Sequence, residues 1–423
     1  MNSRLVRLLA FILLSALVCW EWTGVDWTRP LKPDQFAEYW CAARLVLSGN
    51  NPYSAETVRV LLGEMGWERS AASAFDSPPW ALTWVLPFGS LPYNVGRVLW
   101  LILNLVVVMY CLQTLWRLYG SAGSLVVGWV LMLAFYPVLV LLKTGEIGSL
   151  TLLGVTLFLV WEKQRQDTLA GAACALLAIQ PYLVLLVWAA LLLSVWKERR
   201  WPFMRGFCAA MLGTSIVPLI FNGHLFSWYF RAASNPHSVL GKTSNLGTLV
   251  RLEFGVEPSG LVFVPALVAV IWLGLHWKRS REGWNWQDQM PLILVVSVLV
   301  SPYGWSHEQV VLLPVLAQAA AMLAATGSAG LGIVAVLVFI GFNAIAFLIN
   351  QSRANDLWLL WMNPAWFTLY LAIRRRLKRV EAKIRNVELV DDAGTLEAES
   401  NRIAQPDAAD RFRIKTHRAN ADE

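Results

Sequence analysis

The chain has 423 residues, of which 57% are hydrophobic and 15% charged, and its mean hydropathy is +0.51. Because soluble domains carry about 25% charged residues, this composition excludes a water-soluble enzyme of this size. The formal net charge is +7, but the basic residues lie at the ends of apolar runs, which is typical of membrane topology rather than of nucleic-acid binding. The sequence therefore predicts an all-α polytopic membrane protein whose partner is the lipid bilayer and not nucleic acid.

About twelve apolar runs are long enough, or nearly so, to cross a hydrocarbon core of roughly 30 Å. The first run follows Arg4 and Arg7 but precedes no small-residue cleavage site, so we interpret it as a retained span rather than a signal peptide. The predicted transmembrane or re-entrant segments are 5–22, 95–116, 121–142, 146–161, 168–179, 182–196, 204–221, 261–277, 290–300, 309–325, 330–349 and 357–373. Residues 1–375 form the predicted transmembrane domain, and 376–423 a cytoplasmic, largely disordered tail.

The distribution of basic residues predicts the orientation. With the N-terminus in the cytoplasm, the inner connections contain Arg117, Lys163, Arg165, Lys197, Arg199, Arg200, Arg205, Lys278, Arg279 and Arg281, and the last span is followed by a run of basic residues from Arg374 to Arg379. The short outer connections keep only Lys143 and Arg353. Since positive residues collect on the cytoplasmic side, both termini are expected there.

The first outer loop, about residues 23–94, is far longer than a connection between two spans requires, and such loops are usually functional. From residue 36 onward its apolar residues recur at helical spacing, and Gly49-Asn50-Asn51-Pro52 ends the predicted helix. One predicted face holds Phe36, Tyr39, Trp40, Ala43 and Leu47, and the other holds Glu38, Cys41, Arg44 and Ser48. We expect an interfacial helix on the outer leaflet. A second short helix is expected after Ser77-Pro78-Pro79-Trp80.

Asp34 stands immediately before the first of these helices and allows two interpretations. An isolated Asp in this position commonly serves as the N-cap of the helix. A carboxylate at the edge of a membrane cavity is also what a general base for a sugar hydroxyl requires. The residues alone leave both roles open.

Two segments indicate a cavity that opens outward. Residues 168–196 provide 29 positions where two full crossings need about 40, so we expect a short hairpin whose bend at Gln180-Pro181 stays within the bilayer. The run 290–300 is also short and ends at Ser301-Pro302. Non-helical backbone at membrane depth is tolerated only inside protein or beside a water-filled cavity.

The segment after the second bend places His307 and Glu308 at the outer end of two spans. A single histidine at an interface is often structural, but an ionisable residue at a cavity mouth is also a functional candidate. Lys143 and Arg251 are outer-side cations, for which snorkelling toward the interface is the alternative.

Motifs for nucleotide and metal chemistry are absent from the sequence. It contains no P-loop, no GxGxxG after a strand, no HExxH and no paired DxD. The five cysteines are scattered singly and form no CxxC. We therefore expect neither a cofactor nor a metal, and no nucleotide-fed active site.

Several motifs together resemble those of the bacterial family 87 glycosyltransferases. The first is Asp34-Gln35-Phe36-Ala37-Glu38-Tyr39-Trp40-Cys41-Ala42-Ala43-Arg44, followed by Gly49-Asn50-Asn51-Pro52-Tyr53. The others are Ser77-Pro78-Pro79, Lys143-Thr144-Gly145-Glu146, Gln180-Pro181-Tyr182, the segment from Asn245 to Leu252, and the segment from Ser301 to His307. The resemblance covers roughly residues 5–375, in the same order and with similar spacing.

The resemblance implies a fold and an activity. The family contains integral membrane enzymes of the GT-C class, including mannosyl- and arabinofuranosyltransferases, that use polyprenyl-phosphate sugars. It implies a GT-C-like helical bundle and transfer of a hexose or pentose to a lipid or glycan acceptor. The implied location is the inner (cell) membrane of a bacterium, with an extracytoplasmic active site.

The resemblance also implies roles for individual residues. Asp34 corresponds to the catalytic base and His307 to a histidine of the family's last motif. Arg251 and Lys143 are the candidates to bind the donor phosphate. Tyr39, Glu146, Gln180 and Trp305, which lie within the motifs, are assigned to substrate binding. Two positions depart from the family, because Gln180 stands where a lysine is common and Glu146 where a glutamine is common, and the missing cation alters how the donor phosphate is held.

The principal alternative is a transporter or flippase for a lipid-linked or small polar solute, which would also use broken helices around a midplane site. Such proteins commonly show internal repeats and short loops, and this chain shows no repeat and a long first loop. A catalytically inactive scaffold is a third interpretation. The sequence identifies neither the sugar nor the acceptor.

Overall fold

The computed structural model describes residues 34–65, 74–120, 125–234, 243–254, 260–280, 283–352 and 356–380. The predicted first span, 5–22, and the tail beyond 380 lie outside these residues. Within them the chain forms helices joined by turns, and no strand is found. The prediction of an all-helical protein is confirmed.

The first described region contains four helices. They are α1 (Gln35–Leu47), α2 (Ala55–Glu64), α3 (Leu82–Gly89), which follows a 3₁₀ turn at Pro79–Ala81, and α4 (Tyr93–Tyr119). The next seven are α5 (Leu125–Leu133), α6 (Tyr136–Thr144), α7 (Gly148–Lys163), α8 (Asp167–Leu177), α9 (Leu185–Glu198), α10 (Trp201–Phe221) and α11 (Leu225–Ala233).

The remaining helices complete the bundle. They are α12 (Leu246–Phe254), α13 (Val264–Ser280), α14 (Trp286–Val300), α15 (Leu313–Ala325) and α16 (Ala329–Gln351), and residues 362–380 form α17. A 3₁₀ turn precedes each of α13, α15 and α17, at Leu261–Phe263, Ser306–Leu312 and Asp356–Leu359.

Among the residues that the structure describes, five helical segments are long and apolar enough to cross a membrane by length and composition. They are Tyr93–Tyr119, Trp201–Phe221, Leu261–Ser280, Ser306–Ala325 and Ala329–Gln351. Side chains such as Ile220, Ile271 and Leu337 are largely exposed on three of them, as expected of surfaces that face lipid. These long apolar helices indicate a membrane protein. The predicted count of about twelve crossing or re-entrant helices is not confirmed.

The prediction of one span over 121–142 is wrong, because the described part of this run is divided into α5 and α6. Pro137 lies in the first turn of α6. Proline lacks an N–H and clashes with the carbonyl of the preceding turn, so α5 cannot continue through it. The backbone N–H of Tyr136, freed by the break, donates instead to Oδ1 of Asn343 across 2.6 Å.

The prediction of a one-sided interfacial helix over 36–47 is also wrong. The helix itself is confirmed as α1, but Cys41, which we placed on its polar face, is fully buried, as are Ala42 and Val46. Helices α3 and α4 pack against α1 and cover the face that we expected to meet the membrane surface. The exposure of α1 is concentrated at residues such as Arg44 and Ser48.

Both predicted bends are found. Helices α8 and α9 are separated by the non-helical residues 178–184, in which Gln180 is buried. Helix α14 ends at Val300, and residues 301–305 connect it to the 3₁₀ turn that carries His307.

Two apolar cores determine where the site lies. One joins α1, α3 and the start of α4 and includes Ile147 and Leu150 from the start of α7. The larger one joins most of the other helices and includes Leu141 and Leu142 from the end of α6. The end of α6 and the turn that follows it, residues 143–147, therefore lie at the junction of the two cores, and the charged residues of the candidate site collect around them.

Candidate active site

Asp34 forms an ion pair and does not act as a simple cap. It occupies the N-cap position of α1, and its side chain makes no capping hydrogen bond. Instead its carboxylate accepts from Arg97 Nε at 2.5 Å and from the Tyr93 hydroxyl at 3.0 Å, both on the first turns of α4. Burial raises the pKa of Asp34 above its ordinary value, and the adjacent Arg97 guanidinium opposes this effect. The carboxylate is the more open member of the pair, with 23% of its side chain exposed against 2% for Arg97.

Arg97 connects this carboxylate to the turn after α6. Its Nη2 donates to the backbone carbonyls of Lys143, at 2.6 Å, and Leu142, at 3.4 Å. The last carbonyls of a helix lack intrahelical partners, and a cation is favoured at that end by the helix dipole. One guanidinium thus satisfies the end of α6 and pairs with Asp34.

The same turn requires glycine at position 145. Gly145 has a φ of +76°, a left-handed conformation that other residues rarely adopt. A Cβ added there would lie 2.9 Å from the Cβ of Phe36 on α1, closer than two carbon atoms can pack. The Gly145 carbonyl accepts from Trp100 Nε1 at 2.7 Å. Glycine therefore allows α1, α4 and the turn to meet directly beside Asp34.

Glu146, the next residue, forms a buried pair with His307. One carboxylate oxygen lies 3.0 Å from His307 Nε2, and the other accepts from the Tyr39 hydroxyl at 2.8 Å. The side chains of Glu146 and His307 are 6% and 10% exposed. Three distant parts of the chain, α1, the turn after α6 and the 3₁₀ turn before α15, thus meet at one carboxylate.

Glu308 is held by three neutral donors. Its Oε1 accepts from Gln180 Nε2 at 2.8 Å and from the Tyr182 hydroxyl at 2.5 Å, and its Oε2 accepts from the backbone N–H of Trp305 at 2.8 Å. The carbonyl oxygen of Gln180 in turn accepts from Thr151 on α7. The bend between α8 and α9 is thereby fixed to the segment that carries His307.

The two predicted phosphate-binding cations occupy different surroundings. Arg251 on α12 donates from Nη2 to the Pro302 carbonyl at 3.3 Å, and its guanidinium lies over the Tyr303 ring, 5.4 Å from the centroid. The Lys143 side chain is exposed, and the contact that ties this residue to the site is its backbone carbonyl on Arg97. Trp305 is 37% exposed and nearly parallel to the His307 ring, 6.3 Å away.

The structure thus connects five of the eight predicted site residues through direct contacts or one intervening residue. They are Tyr39, Glu146, Gln180, Trp305 and His307. Arg251 reaches the same segment through Pro302 and Tyr303, and Lys143 does so through its main chain. Asp34 reaches the turn before Glu146 through Arg97, which binds the Lys143 carbonyl. Contact of any of these residues with a substrate stays a prediction.

Sequence reasoning missed four residues that hold the site: Tyr93, Arg97, Tyr182 and Asp356. Arg97 is a charge at the start of an apolar span, which is a recognisable signal because such residues are costly in a membrane and usually functional. Asp356 accepts from the Ser306 hydroxyl at 2.5 Å and from its backbone N–H at 3.2 Å, one residue before His307. Nothing in the local sequence indicates that pairing across 50 residues.

In the part of the chain that the structure describes, no group of three or more His, Cys, Asp or Glu side chains is arranged to hold a metal ion. The carboxylates of the site pair instead with Arg97, with His307 and with neutral donors.

Comparison with known proteins gives one match. The family model of glycosyltransferase family 87 matches residues 75–302, which is more than half of the chain. No curated protein and no solved structure matches. The matched range contains Arg97, Glu146 and Gln180, whereas Asp34 and His307 lie on either side of it.

Proposed function

The chain belongs to glycosyltransferase family 87, and we propose that it transfers a sugar from a polyprenyl-phosphate donor to a lipid or glycan acceptor. Family membership implies glycosyltransferase activity and disfavours the transporter alternative. The lipid-linked donor, the hexose or pentose it carries and the position of the site on the outer side of the inner (cell) membrane are parts of the proposal. A donor that is itself a lipid explains why the sequence needs no nucleotide-binding motif.

One structural observation carries the proposal. Two charged pairs, Asp34 with Arg97 and Glu146 with His307, lie at the same turn, residues 143–146. Sugar transfer from a phosphate needs a base for the acceptor hydroxyl and positive charge for the leaving phosphate. The partly open Asp34 carboxylate, held at this turn by Arg97, and the His307 imidazole, held there by Glu146, are the candidates for these two roles.

Asp34 is the proposed general base. Its carboxylate accepts the proton of the acceptor hydroxyl, the hydroxyl oxygen forms a bond to the anomeric carbon, and the bond between that carbon and the phosphate oxygen breaks. Polyprenyl phosphate leaves with the electron pair of the broken bond. The Arg97 guanidinium and the Tyr93 hydroxyl hold the carboxylate in one orientation, which is the preorganisation that such a step requires.

The leaving phosphate is the proposed partner of His307, Arg251 and Lys143. Cations placed where negative charge develops stabilise the transition state more than the ground state. Trp305 offers an exposed aromatic face beside His307, which suits the apolar face of a sugar ring. Tyr39, Glu146 and Gln180 complete the proposed substrate-binding set.

The test is direct. Purified protein is incubated with labelled polyprenyl-phosphate sugars and candidate lipid acceptors, and labelled product is measured beside the Asp34→Asn variant. Transfer by the natural chain and its loss in the variant support the proposal. A chain that folds but transfers no sugar from any such donor overturns it, as does full activity of the variant.

A further inference from the structure

Both carboxylate oxygens of Glu146 already have a partner within the protein. One oxygen accepts from the Tyr39 hydroxyl and the other lies 3.0 Å from His307 Nε2. Because a carboxylate only accepts hydrogen bonds, Nε2 carries the proton in this contact. The carboxylate therefore fixes the orientation of the imidazole ring, and Nδ1 is the ring nitrogen that makes no hydrogen bond to the part of the chain that the structure describes.

The surroundings of the ring are rich in carboxylates. Besides Glu146, they comprise Glu308, which is adjacent in the chain, Asp356, which binds the preceding residue Ser306, and Asp76 of the first loop, which is close enough to interact electrostatically with His307. Opposite charges near an ionisable group favour its charged form. Burial disfavours a charge on the ring, whereas these carboxylates favour a second proton, on Nδ1, and hence a positive charge.

Position 180 lies in the same cluster. Gln180 donates its amide to Glu308 at 2.8 Å and accepts from Thr151 at 3.0 Å. A lysine at this position would bring its ammonium against the Glu308 carboxylate. The neutral glutamine contributes a donor but no charge, so any cation at this point of the site has to come from another side chain.

We propose that Glu146 is a positioning residue that keeps His307 cationic, with its Nδ1–H available to the leaving phosphate, and that this imidazolium supplies the positive charge that the neutral Gln180 does not. The inference rests on the proposed function, because it names how the leaving group is stabilised. The proton on Nδ1 is hydrogen-bonded to the phosphate oxygen as the bond to the sugar breaks. In this proposal Glu146 acts through His307, and this role replaces its earlier assignment to substrate binding.

The first experiment does not depend on activity. In ¹⁵N-histidine-labelled protein at neutral pH, the His307 ring is identified by its loss in His307→Gln. We expect both ring nitrogens to be protonated in the natural chain and a neutral ring in Glu146→Gln. A matched control is Glu56→Gln, an exposed glutamate on α2, which should leave the ring cationic. A neutral ring in the natural chain, or a cationic ring in Glu146→Gln, overturns the proposal.

The second experiment uses transfer. Glu146→Gln should reduce kcat by about 10-fold to 100-fold at neutral pH and regain rate as the pH falls, because protons then restore the ring charge. The KM for the acceptor should change little. Adding Gln180→Lys to Glu146→Gln should restore kcat at neutral pH and remove the gain at low pH. If Gln180→Lys does not restore kcat, the proposal that His307 supplies the positive charge at this point of the site is overturned.

The two experiments separate the proposals. If the natural chain transfers no sugar, the proposed function fails, and the ring state still decides whether Glu146 sets the charge of His307. If transfer is normal and Glu146→Gln is as active as the natural chain, the proposed function stands and the role of Glu146 is refuted.

Discussion

Arg97 Nε donates to Asp34 Oδ2 across 2.5 Å and ties the residue that begins α1 to the first long span of the described chain. The guanidinium is 2% exposed and also binds the end of α6. Breaking a buried pair by removing one partner leaves an uncompensated charge, which costs more than the pair contributes. The Asp34 carboxylate therefore stabilises the fold as well as being the proposed base.

Single and double variants distinguish the stabilising role of Asp34 from its proposed role as general base. Asp34→Asn leaves Arg97 buried without its carboxylate and should lower the free energy of unfolding by on the order of 3 kcal/mol. Asp34→Asn combined with Arg97→Gln removes both charges and should recover much of that loss. Since an amide cannot accept the acceptor proton, transfer should fall on the order of 10²-fold or more in both variants. Denaturant unfolding and initial rates measure the two effects.

A variant of an exposed glutamate, Glu64→Gln on α2, is the control for these variants. It should match the natural chain in both measurements. If the double variant regained transfer together with stability, Asp34 would be structural, and the base would have to be sought among Asp76, Glu146, Glu308 and His307.

The rate of transfer should depend on pH through Asp34. Burial raises the pKa of this carboxyl above its ordinary value of 3.8, although Arg97 opposes the rise. A general base works in its ionised form, so kcat/KM should fall as the pH drops through this raised pKa, at higher pH than an unperturbed aspartate would give. Replacing Arg97 with Gln removes the opposing charge and should move the fall to still higher pH. If kcat/KM falls over the same pH range in Arg97→Gln as in the natural chain, Asp34 is not the group whose protonation causes the fall.

The turn after α6 should be intolerant of a side chain at position 145. Gly145→Ala imposes a left-handed φ of +76° on alanine and places its Cβ 2.9 Å from Phe36. We expect a loss of about 1–3 kcal/mol in the free energy of unfolding and a matching loss of transfer, because Arg97 and Glu146 flank the turn. Gly63→Ala is the control, since a Cβ there meets nothing within 4 Å. That change, inside α2, should be neutral or slightly stabilising.

The fold was predictable where the signal is local. The 3.6-residue pattern of 36–47 predicted α1, and the short run before Gln180-Pro181 predicted the hairpin of α8 and α9. Burial of α1 on both sides was not predictable, because two of the helices that pack against it, α3 and α4, come from a later part of the chain, beyond residue 80. The break before Pro137 was missed because the prediction of one span over 121–142 rested on the length of the apolar run.

For the candidate site, too, some residues were predictable from the local sequence and others were not. Asp34 and His307 stand out in the sequence because they are ionisable residues beside helix starts and bends. Their partners are less visible, since Arg97 lies 63 residues from Asp34 and Glu146 lies 161 residues from His307. Three predicted substrate residues, Tyr39, Glu146 and Gln180, proved to be hydrogen-bonded within the protein. Such pairings depend on how helices pack, which a single sequence does not specify.

Transfer should be independent of added metal. The proposed donor carries a single phosphate, and the cations proposed to bind it are side chains, so a divalent ion has no assigned part in the reaction. Exhaustive chelation should leave the initial rate unchanged, with an established metal-dependent enzyme as the positive control for chelation. A loss of rate that a divalent ion restores would refute this form of the mechanism.

Asp356 provides the last prediction, because it lies outside the matched family range and yet holds the residue before His307. Its carboxylate accepts from both the hydroxyl and the backbone N–H of Ser306. In Asp356→Asn, the amide oxygen can still accept from the Ser306 N–H and the NH₂ group can donate to the Ser306 hydroxyl, but the carboxylate charge that strengthens both hydrogen bonds is lost. We expect transfer to fall about 10-fold, with a loss in the free energy of unfolding of about 1 kcal/mol.

The control for this change is Asp288→Asn, at an exposed aspartate in the first turn of α14, which should leave both quantities unchanged. Asp356→Glu keeps both acceptor oxygens on a longer side chain and should recover part of the transfer rate. If Asp356→Asn behaved like Asp288→Asn, the segment of His307 would be held by its other contacts, those of Glu146 and Glu308, and the C-terminal helices would have no part in positioning the imidazole.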